Sequence, residues 1–335
     1  MTDQAYGRRA ALAAAAALAA AARPASAQQR AAAPPPPATH NVRYSTGTAA
    51  ARTPAPPDAT DCHFHIYDAR FPAAAGASLL PPDASVEDYR ALQRRIGTTR
   101  GVLVQPSTYG TDNRLHLESM RALGRDRFRM VAVVNDRITD AELRQLHAQG
   151  VRGIRFNLIQ AGATTIEMLE PLSRRIAPLG WHCQIHMTGT QIGEANDLLS
   201  RLPSRIVFDH RARLPAAQGL NSPGFTTVLR LLGQGKTWVK LSGLYMDTQA
   251  GPPGYADSVA IAKAFFAANP QRMVWGSDWP HPTQALNDKP DDAQLFDLLA
   301  ECVPDAAARR RVLVDNPAEL YDFPRARTAQ RRTNG

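Results

Sequence analysis

The run Asp61-Cys62-His63-Phe64-His65-Ile66-Tyr67-Asp68 determines how the rest of the chain is interpreted. Its composition predicts a β-strand, on which side chains alternate between two faces. His63 and His65 then share one face, and the opposite face carries Cys62, Phe64 and Ile66. Apolar residues on one side suit a strand covered by helices. Paired histidines on the other side suit a polar cavity for a metal ion or a substrate carbonyl group, although histidines in strands are also common as structural residues.

A regular alternation of strand-like and helical segments follows from residue 59 onward. The predicted strands are Ala59–Ile66, Arg100–Gln105, Phe128–Asn135, Val151–Asn157, Trp181–His186, Arg205–His210, Trp238–Ser242 and Arg272–Ser277. The predicted helices are Val86–Arg95, Arg114–Leu123, Asp140–Gln149, Ile166–Ala177, Gln191–Arg201, Phe225–Leu232, Asp257–Ala268 and Asp291–Glu301. Eight such pairs predict an α/β fold, a (β/α)₈ TIM barrel. A doubly wound open sheet is the alternative, but no glycine-rich turn follows the first strand.

The two ends of the chain differ from this pattern. Gly7-Arg8-Arg9, an alanine-rich run and Ala25-Ser26-Ala27 predict a twin-arginine-like signal peptide over residues 1–27, and therefore a periplasmic protein. A short alanine-rich helix of the mature protein is the alternative. Residues 28–57, rich in Pro and Ala, predict a disordered linker before a barrel over 58–324. Pro304–Tyr321 predicts C-terminal helices, with a break or start at Asp315-Asn316-Pro317, and residues 325–335 form a basic tail.

Charge and cysteine content exclude several classes of protein. The net charge is +9, but all of the excess lies in residues 1–57 and 325–335, so the barrel is formally neutral and a nucleic-acid partner is not expected. No segment beyond the signal peptide approaches the length of a membrane span. Three cysteines, Cys62, Cys183 and Cys302, predict buried thiols and no disulfide framework. Oligomeric state is not indicated.

Catalytic groups of such barrels lie at the carboxyl ends of the strands. Applied to the predicted strands, this rule collects His63, His65, Ser107, Asn135, Arg155, Asn157, His186, His210, Lys240, Ser242 and Asp278, with His281 just beyond. The four histidines at strand ends and Asp278 suit one divalent ion, which would lower the pKa of a bound water while Asp278 accepts its proton. Taken singly, His186 or His210 is equally compatible with a core histidine, and Asp278 with a helix cap.

Four motifs resemble the amidohydrolase superfamily, in particular the branch of 2-pyrone-4,6-dicarboxylate lactonase and sugar-lactone enzymes. They are Asp61-Cys62-His63-Phe64-His65, the run from Gly150 to Asn157, Lys240-Leu241-Ser242-Gly243 and the run from Trp275 to Pro282. The resemblance covers most of residues 58–323. It implies a barrel hydrolase in which Asp278 activates water and histidines polarise a carbonyl group.

The resemblance leaves the metal open. The lactonase of this branch is understood to work without a bound metal, and strand 4 offers no Lys or Glu to bridge two ions. His186, however, stands where the branch is expected to have a tyrosine, which favours one zinc-like ion held by His63, His65, His186 and Asp278. Both possibilities stand at this point. Met246 occupies the position of an expected substrate-binding arginine, which argues against a dicarboxylate substrate.

The expected substrate is a small lactone or carboxylate. Arg155, predicted to face the barrel interior, is a candidate for gripping an anion, as are Arg211 and Arg213, although solvated loop arginines are the alternative for the latter two. Ser107, Asn157, Arg213, His281 and Arg155 form the predicted substrate-binding set.

The predicted reaction is hydrolysis of a lactone or similar cyclic ester. Asp278 acts as general base, and the groups around the carbonyl oxygen are His63, His65, His186 and His210. A lactone isomerase and a catalytically inactive periplasmic binding protein are the alternatives. Five converging polar groups argue against loss of activity, because an inactive site does not require them.

Overall fold

A computed structural model describes residues 40–160 and 162–324. The predicted signal peptide, residues 28–39 of the predicted linker and the basic tail 325–335 lie outside the described residues. The three cysteines are buried free thiols, as predicted. Within the described part of the chain, no helix is long and apolar enough to cross a membrane.

Eight parallel strands form one sheet in which each strand pairs with the next along the chain. They are β1 (Thr60–Phe64), β2 (Arg100–Val104), β3 (Phe128–Ala132), β4 (Val151–Asn157), β5 (His182–His186), β6 (Arg205–Phe208), β7 (Thr237–Leu241) and β8 (Met273–Trp275). Backbone contacts between β1 and the segment after β8 bring the two edges together. The predicted TIM barrel is therefore confirmed.

Helices follow the strands around the outside of the barrel. They are α1 (Val86–Ile96), α2 (Arg114–Leu123), α3 (Asp140–Ala148), α4 (Leu169–Ile176), α5 (Gly189–Glu194), α6 (Asn196–Arg201), α7 (Pro223–Gly233), α8 (Ala256–Ala268), α9 (Asp292–Cys302), α10 (Ala306–Arg310) and α11 (Asn316–Tyr321). Capping boxes start α1, α3 and α5 at Ser85, Thr139 and Thr188. The helix predicted over Gln191–Arg201 is two helices, and α11 starts at Asn316-Pro317 as predicted.

The amino-terminal end of the barrel is closed by the C-terminal segment. A buried cluster inside the barrel contains Cys62, Val102, Val104, Val131, Val207, Trp238 and Val274, together with Leu320, Tyr321 and Phe323. Arg129, at the start of β3, donates through Nε to the carbonyl of Tyr321 at 3.1 Å. Chemistry is consequently confined to the opposite end, where the strands terminate.

Side chains of β1 depart from simple alternation. Phe64 stacks on Tyr89 of α1 with ring centroids 3.5 Å apart, whereas Cys62 belongs to the cluster inside the barrel. The pairing of β1 with β2 shifts register between Asp61 and Phe64, and such an irregularity inserts an extra residue and turns the side chains that follow. The prediction that Cys62 shares a face with Phe64 is therefore wrong, while His63 and His65 both face the interior.

Asp61 joins the two edges of the sheet. Its carboxylate accepts hydrogen bonds from Ser277 N at 2.9 Å, Ser277 Oγ at 2.6 Å, His63 N at 3.0 Å and Tyr89 Oη at 3.2 Å. Burial raises the pKa of Asp61 to about 6. A side chain at Gly276 would bring its Cβ within 2.7 Å of His63 Cβ, so glycine is required for this approach. The result is that His63 and Asp278 become neighbours.

Residues 40–57 pack against the barrel, although composition predicts a disordered linker there. The buried guanidinium of Arg95 donates to the carbonyls of Ala49 and Thr46 at 2.8 and 2.9 Å, and to Asp291 at 2.6 Å. The indole of Trp279 donates to the carbonyl of Arg43 at 2.7 Å. A buried guanidinium must satisfy its donors. This segment supplies the acceptors, which composition alone does not reveal.

Candidate active site

Three imidazoles surround one oxygen of Asp278. Oδ1 lies 3.4 Å from His63 Nε2, 3.4 Å from His65 Nε2 and 3.7 Å from His210 Nε2. The Nε2 atoms of His63 and His65 are themselves 3.2 Å apart. All four side chains are almost completely buried. The structure thus brings together four of the five residues predicted to be catalytic.

Unusual backbone conformations aim two of these side chains. Four successive residues after β6, from His210 to Arg213, have φ between 46° and 59°, and Asp278 has φ 63°. A left-handed conformation is unfavourable for residues with a Cβ, by roughly 1–2 kcal/mol each. Gly243 leaves room for the ring of His210, since a Cβ there would lie 3.0 Å from His210 Nδ1. Strain of this kind is concentrated at functional sites in proteins.

The second ring nitrogen of each histidine has its own partner. His65 Nδ1 lies 2.7 Å from the carbonyl oxygen of Val104 and His210 Nδ1 lies 2.9 Å from Ser242 Oγ. A carbonyl only accepts, so His65 carries its proton on Nδ1 and turns the Nε2 lone pair toward Asp278. His63 Nδ1 lies 3.2 Å from Lys240 Nζ and 3.3 Å from Asp209 Oδ1.

The fifth residue, His186, lies beside the cluster. Its ring centroid is 5.3 Å from that of His210. However, Nδ1 lies 3.1 Å from Asn157 Oδ1 and Nε2 lies 2.9 Å from Arg213 Nη1. Because a guanidinium only donates, His186 Nε2 is the acceptor of that bond. Both nitrogens are occupied, so the prediction that His186 binds a metal is not supported by its contacts.

Burial and neighbouring groups set the charge of the cluster. Burial, assisted by Lys240, lowers the pKa of His63 to about 3, and burial lowers the pKa values of His186 and His210 well below their usual value. Burial alone raises the pKa of Asp278, but His210, His65 and His63 outweigh it and hold that pKa well below its usual range. At neutral pH His63, His186 and His210 are therefore neutral, and Asp278 is an ionised carboxylate that can accept a proton.

Beneath the cluster lies a buried layer of charge. Asp209 Oδ2 accepts from Arg155 Nε and from Gln184 Nε2, each at 3.2 Å, and Oδ1 lies 3.4 Å from Lys240 Nζ. Lys240 Nζ also donates to Gln184 Oε1 at 2.7 Å. Arg155 therefore faces inward, as predicted, and its Nη2 has no hydrogen-bond partner among the described residues.

The other predicted substrate-binding residues have different surroundings. Ser107 Oγ and Asn157 Nδ2 both donate to Gln160 Oε1, at 3.0 and 3.1 Å. Arg213 donates to both carboxylate oxygens of Asp247, at 2.5 and 2.8 Å, which neutralises its charge. Arg213 is thus anchored rather than solvated.

Two residues of this group are more deeply buried than the sequence indicates. His281 is fully buried with Nε2 3.1 Å from Asp292 Oδ2, and its role in substrate binding stays a prediction. Arg211 is not solvated but completely buried, and its Nη2 donates to the carbonyls of Gly243 and Met246. Both residues have left-handed backbone conformations that sequence patterns do not reveal.

The donor atoms of His63, His210 and Asp278 fit a small divalent ion. One ring nitrogen of each histidine and one carboxylate oxygen lie within 4.8 Å of one another. Imidazole nitrogen and carboxylate oxygen are suitable ligands for zinc and similar ions. This group contains two members of the predicted metal set, with His210 in place of His186, and His65 lies alongside it.

Three residues that contribute to the site are absent from the set predicted from the sequence. Tyr245 donates through its hydroxyl to Asp278 Oδ2, and Asp209 and Gln184 anchor the layer beneath the histidines. Asp209 directly follows β6, so the strand-end rule was sufficient to find it. Tyr245 lies four residues after β7, and only the course of that loop brings it to Asp278.

Fold and cluster together define the protein as a hydrolytic enzyme of the TIM-barrel class. The chain belongs to the amidohydrolase family, whose sequence profile matches residues 60–323.

Three curated relatives extend this assignment. A 2-pyrone-4,6-dicarboxylate hydrolase of Comamonas testosteroni is 36% identical over 279 residues, which cover 79% of this chain and 90% of the relative. A 4-sulfomuconolactone hydrolase of Rhizobium radiobacter is 35% identical over 274 residues, with the same two coverages of 79% and 90%. A D-galactarolactone isomerase of Agrobacterium fabrum is 32% identical over 284 residues, which cover 84% of this chain and 96% of the relative.

Proposed function

We propose that this protein hydrolyses a lactone to the open hydroxy acid. The observation that carries the proposal is the position of Asp278 Oδ1, an ionised carboxylate oxygen 3.4–3.7 Å from three imidazole Nε2 atoms. A base and groups that stabilise negative charge must lie this close together for water to attack a carbonyl carbon. The relatives named for hydrolysis of lactones support the same reaction.

The reaction assigns a separate task to each group. Asp278 Oδ1 takes a proton from a water molecule while the water oxygen bonds to the lactone carbonyl carbon. The ring C–O bond then breaks, and the proton passes to the ring oxygen, so that a carboxylic acid and a hydroxyl group are formed. An imidazole N–H stabilises the negative charge that develops on the carbonyl oxygen. A divalent ion bound by His63, His210 and Asp278 would supply carbonyl polarisation and a more acidic water.

The charges around the site suggest how many carboxylates the substrate carries. Asp247 neutralises Arg213, and Met246 supplies no charge. Arg155 keeps one NH2 group, Nη2, free of partners among the described residues, since its hydrogen bonds are made by Nε and Nη1. We propose a substrate with one carboxylate, or a comparable polar group, bound by Arg155 through charge-assisted hydrogen bonds.

A panel of lactones assayed with a pH indicator tests the reaction. Acid release by the wild-type protein is expected, and Asp278→Asn is expected to lower turnover by about 10²–10⁴-fold because it removes the base. Circular dichroism and thermal unfolding check that the variant is folded. Near-native turnover by folded Asp278→Asn would contradict the proposed mechanism.

A lactone isomerase is the second candidate, because one relative of similar identity carries that name. The same base and histidines would move an acyl group between two hydroxyls of one molecule. Product analysis by NMR separates the two reactions. An open hydroxy acid supports the hydrolase, and a lactone with a different ring size supports the isomerase.

We also propose that the protein is periplasmic. The support is the sequence of residues 1–27, with paired arginines, an apolar run and a cleavage motif. Cell fractionation of the full-length protein is expected to find it in the periplasm, and replacing both Arg8 and Arg9 by Lys is expected to retain it in the cytoplasm. If the wild type and the variant were distributed in the same way between periplasm and cytoplasm, export by this route would be contradicted.

A further inference from the structure

Lys240 is a buried charged group outside the reacting atoms that contacts one histidine of the cluster. It lies on β7 with no exposure to solvent, and its ammonium has three possible acceptors. They are Gln184 Oε1 at 2.7 Å, His63 Nδ1 at 3.2 Å and Asp209 Oδ1 at 3.4 Å. An ammonium group has three N–H donors and no acceptor. Lys240 therefore donates hydrogen bonds to Gln184 and His63 and forms an ion pair with Asp209.

This arrangement bears on the proton of His63. A neutral imidazole carries one N–H and one lone pair. If Lys240 donates to His63 Nδ1, the proton of His63 must be on Nε2. Asp209 Oδ1, 3.3 Å from the same Nδ1, favours the opposite tautomer. The contacts of Nδ1 alone therefore do not decide between the two.

The atoms around Nε2 favour the same tautomer as the donation from Lys240 does. His63 Nε2 lies 3.2 Å from His65 Nε2, and His65 is an acceptor there because its Nδ1 donates to the carbonyl of Val104. Asp278 Oδ1, 3.4 Å away, is an acceptor as well. A lone pair on His63 Nε2 would face two acceptors, whereas an N–H satisfies them. The contacts of both ring nitrogens are satisfied when Lys240 donates to His63 Nδ1 and His63 Nε2 donates into the cluster.

We propose that Lys240 is a positioning residue that holds His63 as the Nε2–H tautomer, so that His63 donates a hydrogen bond to the substrate oxygen and is disfavoured as a metal ligand. A histidine that binds a metal normally donates its second N–H to a carboxylate, carbonyl or water. Here that nitrogen faces the ammonium of Lys240 as well as the carboxylate of Asp209. Binding of an ion through His63 Nε2 requires the proton to move to Nδ1 and the donation from Lys240 to end. The proposal rests on the site of the proposed hydrolase but not on the identity of its substrate.

Nitrogen-15 NMR of histidine-labelled protein tests the tautomer directly. In the wild type we expect the His63 proton on Nε2, with His63→Gln identifying the signal. Lys240→Met removes the donor at similar size and leaves Asp209 as the neighbour of Nδ1, so the fraction of His63 that carries its proton on Nδ1 is expected to rise. Lys240→Gln keeps a donor and is expected to preserve the wild-type tautomer.

The control is Lys236→Met, which removes a lysine just before the same strand whose Nζ donates to the carbonyl of Leu202. It is expected to change nothing.

Zinc binding, measured by calorimetry, gives a second readout. Lys240→Met is expected to bind zinc at least tenfold more tightly than the wild type, in line with the effect of other groups that contact metal ligands, which is about 10–100-fold. Lys236→Met is expected to match the wild type. With a substrate in hand, Lys240→Met is expected to lower kcat while KM changes less than about twofold.

Two results would overturn the proposal. They are a wild-type His63 with its proton on Nδ1, and equal zinc affinities for the wild type and Lys240→Met. If Lys240→Met does not fold, the wild-type spectrum and Lys240→Gln decide. Failure of the lactone assay would refute the proposed function but leave the tautomer and zinc results unaffected, so the two failures are distinguishable.

Discussion

The hydroxyl of Tyr245 donates a 2.5 Å hydrogen bond to Oδ2 of Asp278. The other oxygen of that carboxylate, Oδ1, faces His63, His65 and His210. The two oxygens consequently have different tasks, because one is fixed by the tyrosine and the other faces the groups around the substrate. Tyr245 also lines a cavity of about 390 Å³ that it shares with Tyr255 and Lys289.

Tyr245→Phe is expected to lower kcat by about 10–100-fold, since a hydrogen bond to a charged group contributes roughly 1.5–3 kcal/mol. KM is expected to change little, because Tyr245 acts on the base and not on the substrate. Steady-state kinetics on the lactone found by screening provide the measurement. Tyr255→Phe is the matched control, as it changes the same cavity without touching Asp278. Equal kcat values for the two variants would remove Tyr245 from the mechanism.

Arg155→Lys is expected to weaken binding of a lactone that carries a carboxylate. Lysine keeps the charge but loses the planar, two-pronged geometry of the guanidinium, so KM is expected to rise by about tenfold or more. A neutral lactone of the same ring size should show the wild-type KM. The matched control is Arg152→Lys on the same strand, where the side chain bonds to Asp322 instead. A uniform KM increase for both lactones would argue against anion binding by Arg155.

Gly276→Ala is expected to lower the free energy of unfolding by about 1–3 kcal/mol, as overpacking of a close contact does. Its Cβ would lie 2.7 Å from His63 Cβ and 2.8 Å from His63 N. Activity should fall as well, because the added atom displaces the histidine next to Asp278. Urea unfolding gives the measurement. For comparison, Gly233→Ala places a Cβ with no heavy atom within 4 Å and should leave stability and activity near wild type.

Strong periodicity explains what the sequence predicts correctly. The predicted bounds of β4 match the observed ones because Val151–Asn157 contains β-branched and aromatic residues and lies between a glycine and a loop. The strand-end rule then collected His63, His65, His210 and Asp278, because strands of one parallel barrel all end at the same rim. Neither step requires knowledge of loop conformations.

Local backbone geometry explains what was missed. The bulge in β1 reversed the expected side of Cys62, and the left-handed turn after β6 buried Arg211. His186 suits a metal by residue type, but it is occupied because Arg213 reaches back to it. Residues 40–57 lack apolar periodicity and are held instead by polar contacts with buried side chains, among them Arg95 and Trp279. Such contacts depend on the final fold, so composition does not report them.

His116 on α2 predicts a loss of stability in mild acid. Its ring is completely buried, and neither ring nitrogen has a partner among the described residues. Burial, and then the nearby His65, lowers its pKa to about 3. The value for an unfolded chain is about 6.5, so this histidine contributes stability above pH 6.5 that is lost as pH falls from 6.5 toward 3. At pH 5 the loss from this group alone is about 2 kcal/mol.

His116→Met has a similar shape and no charge to acquire, so its free energy of unfolding should fall less steeply between pH 7 and pH 5. The free energy of unfolding of His116→Met should still fall somewhat as the pH is lowered, because His63 and His182 also have pKa values of about 3 in the folded protein. Urea unfolding of both proteins at pH 7, 6 and 5 provides the comparison. If the free energy of unfolding fell equally steeply with pH in the two proteins, His116 would not be the source of the loss.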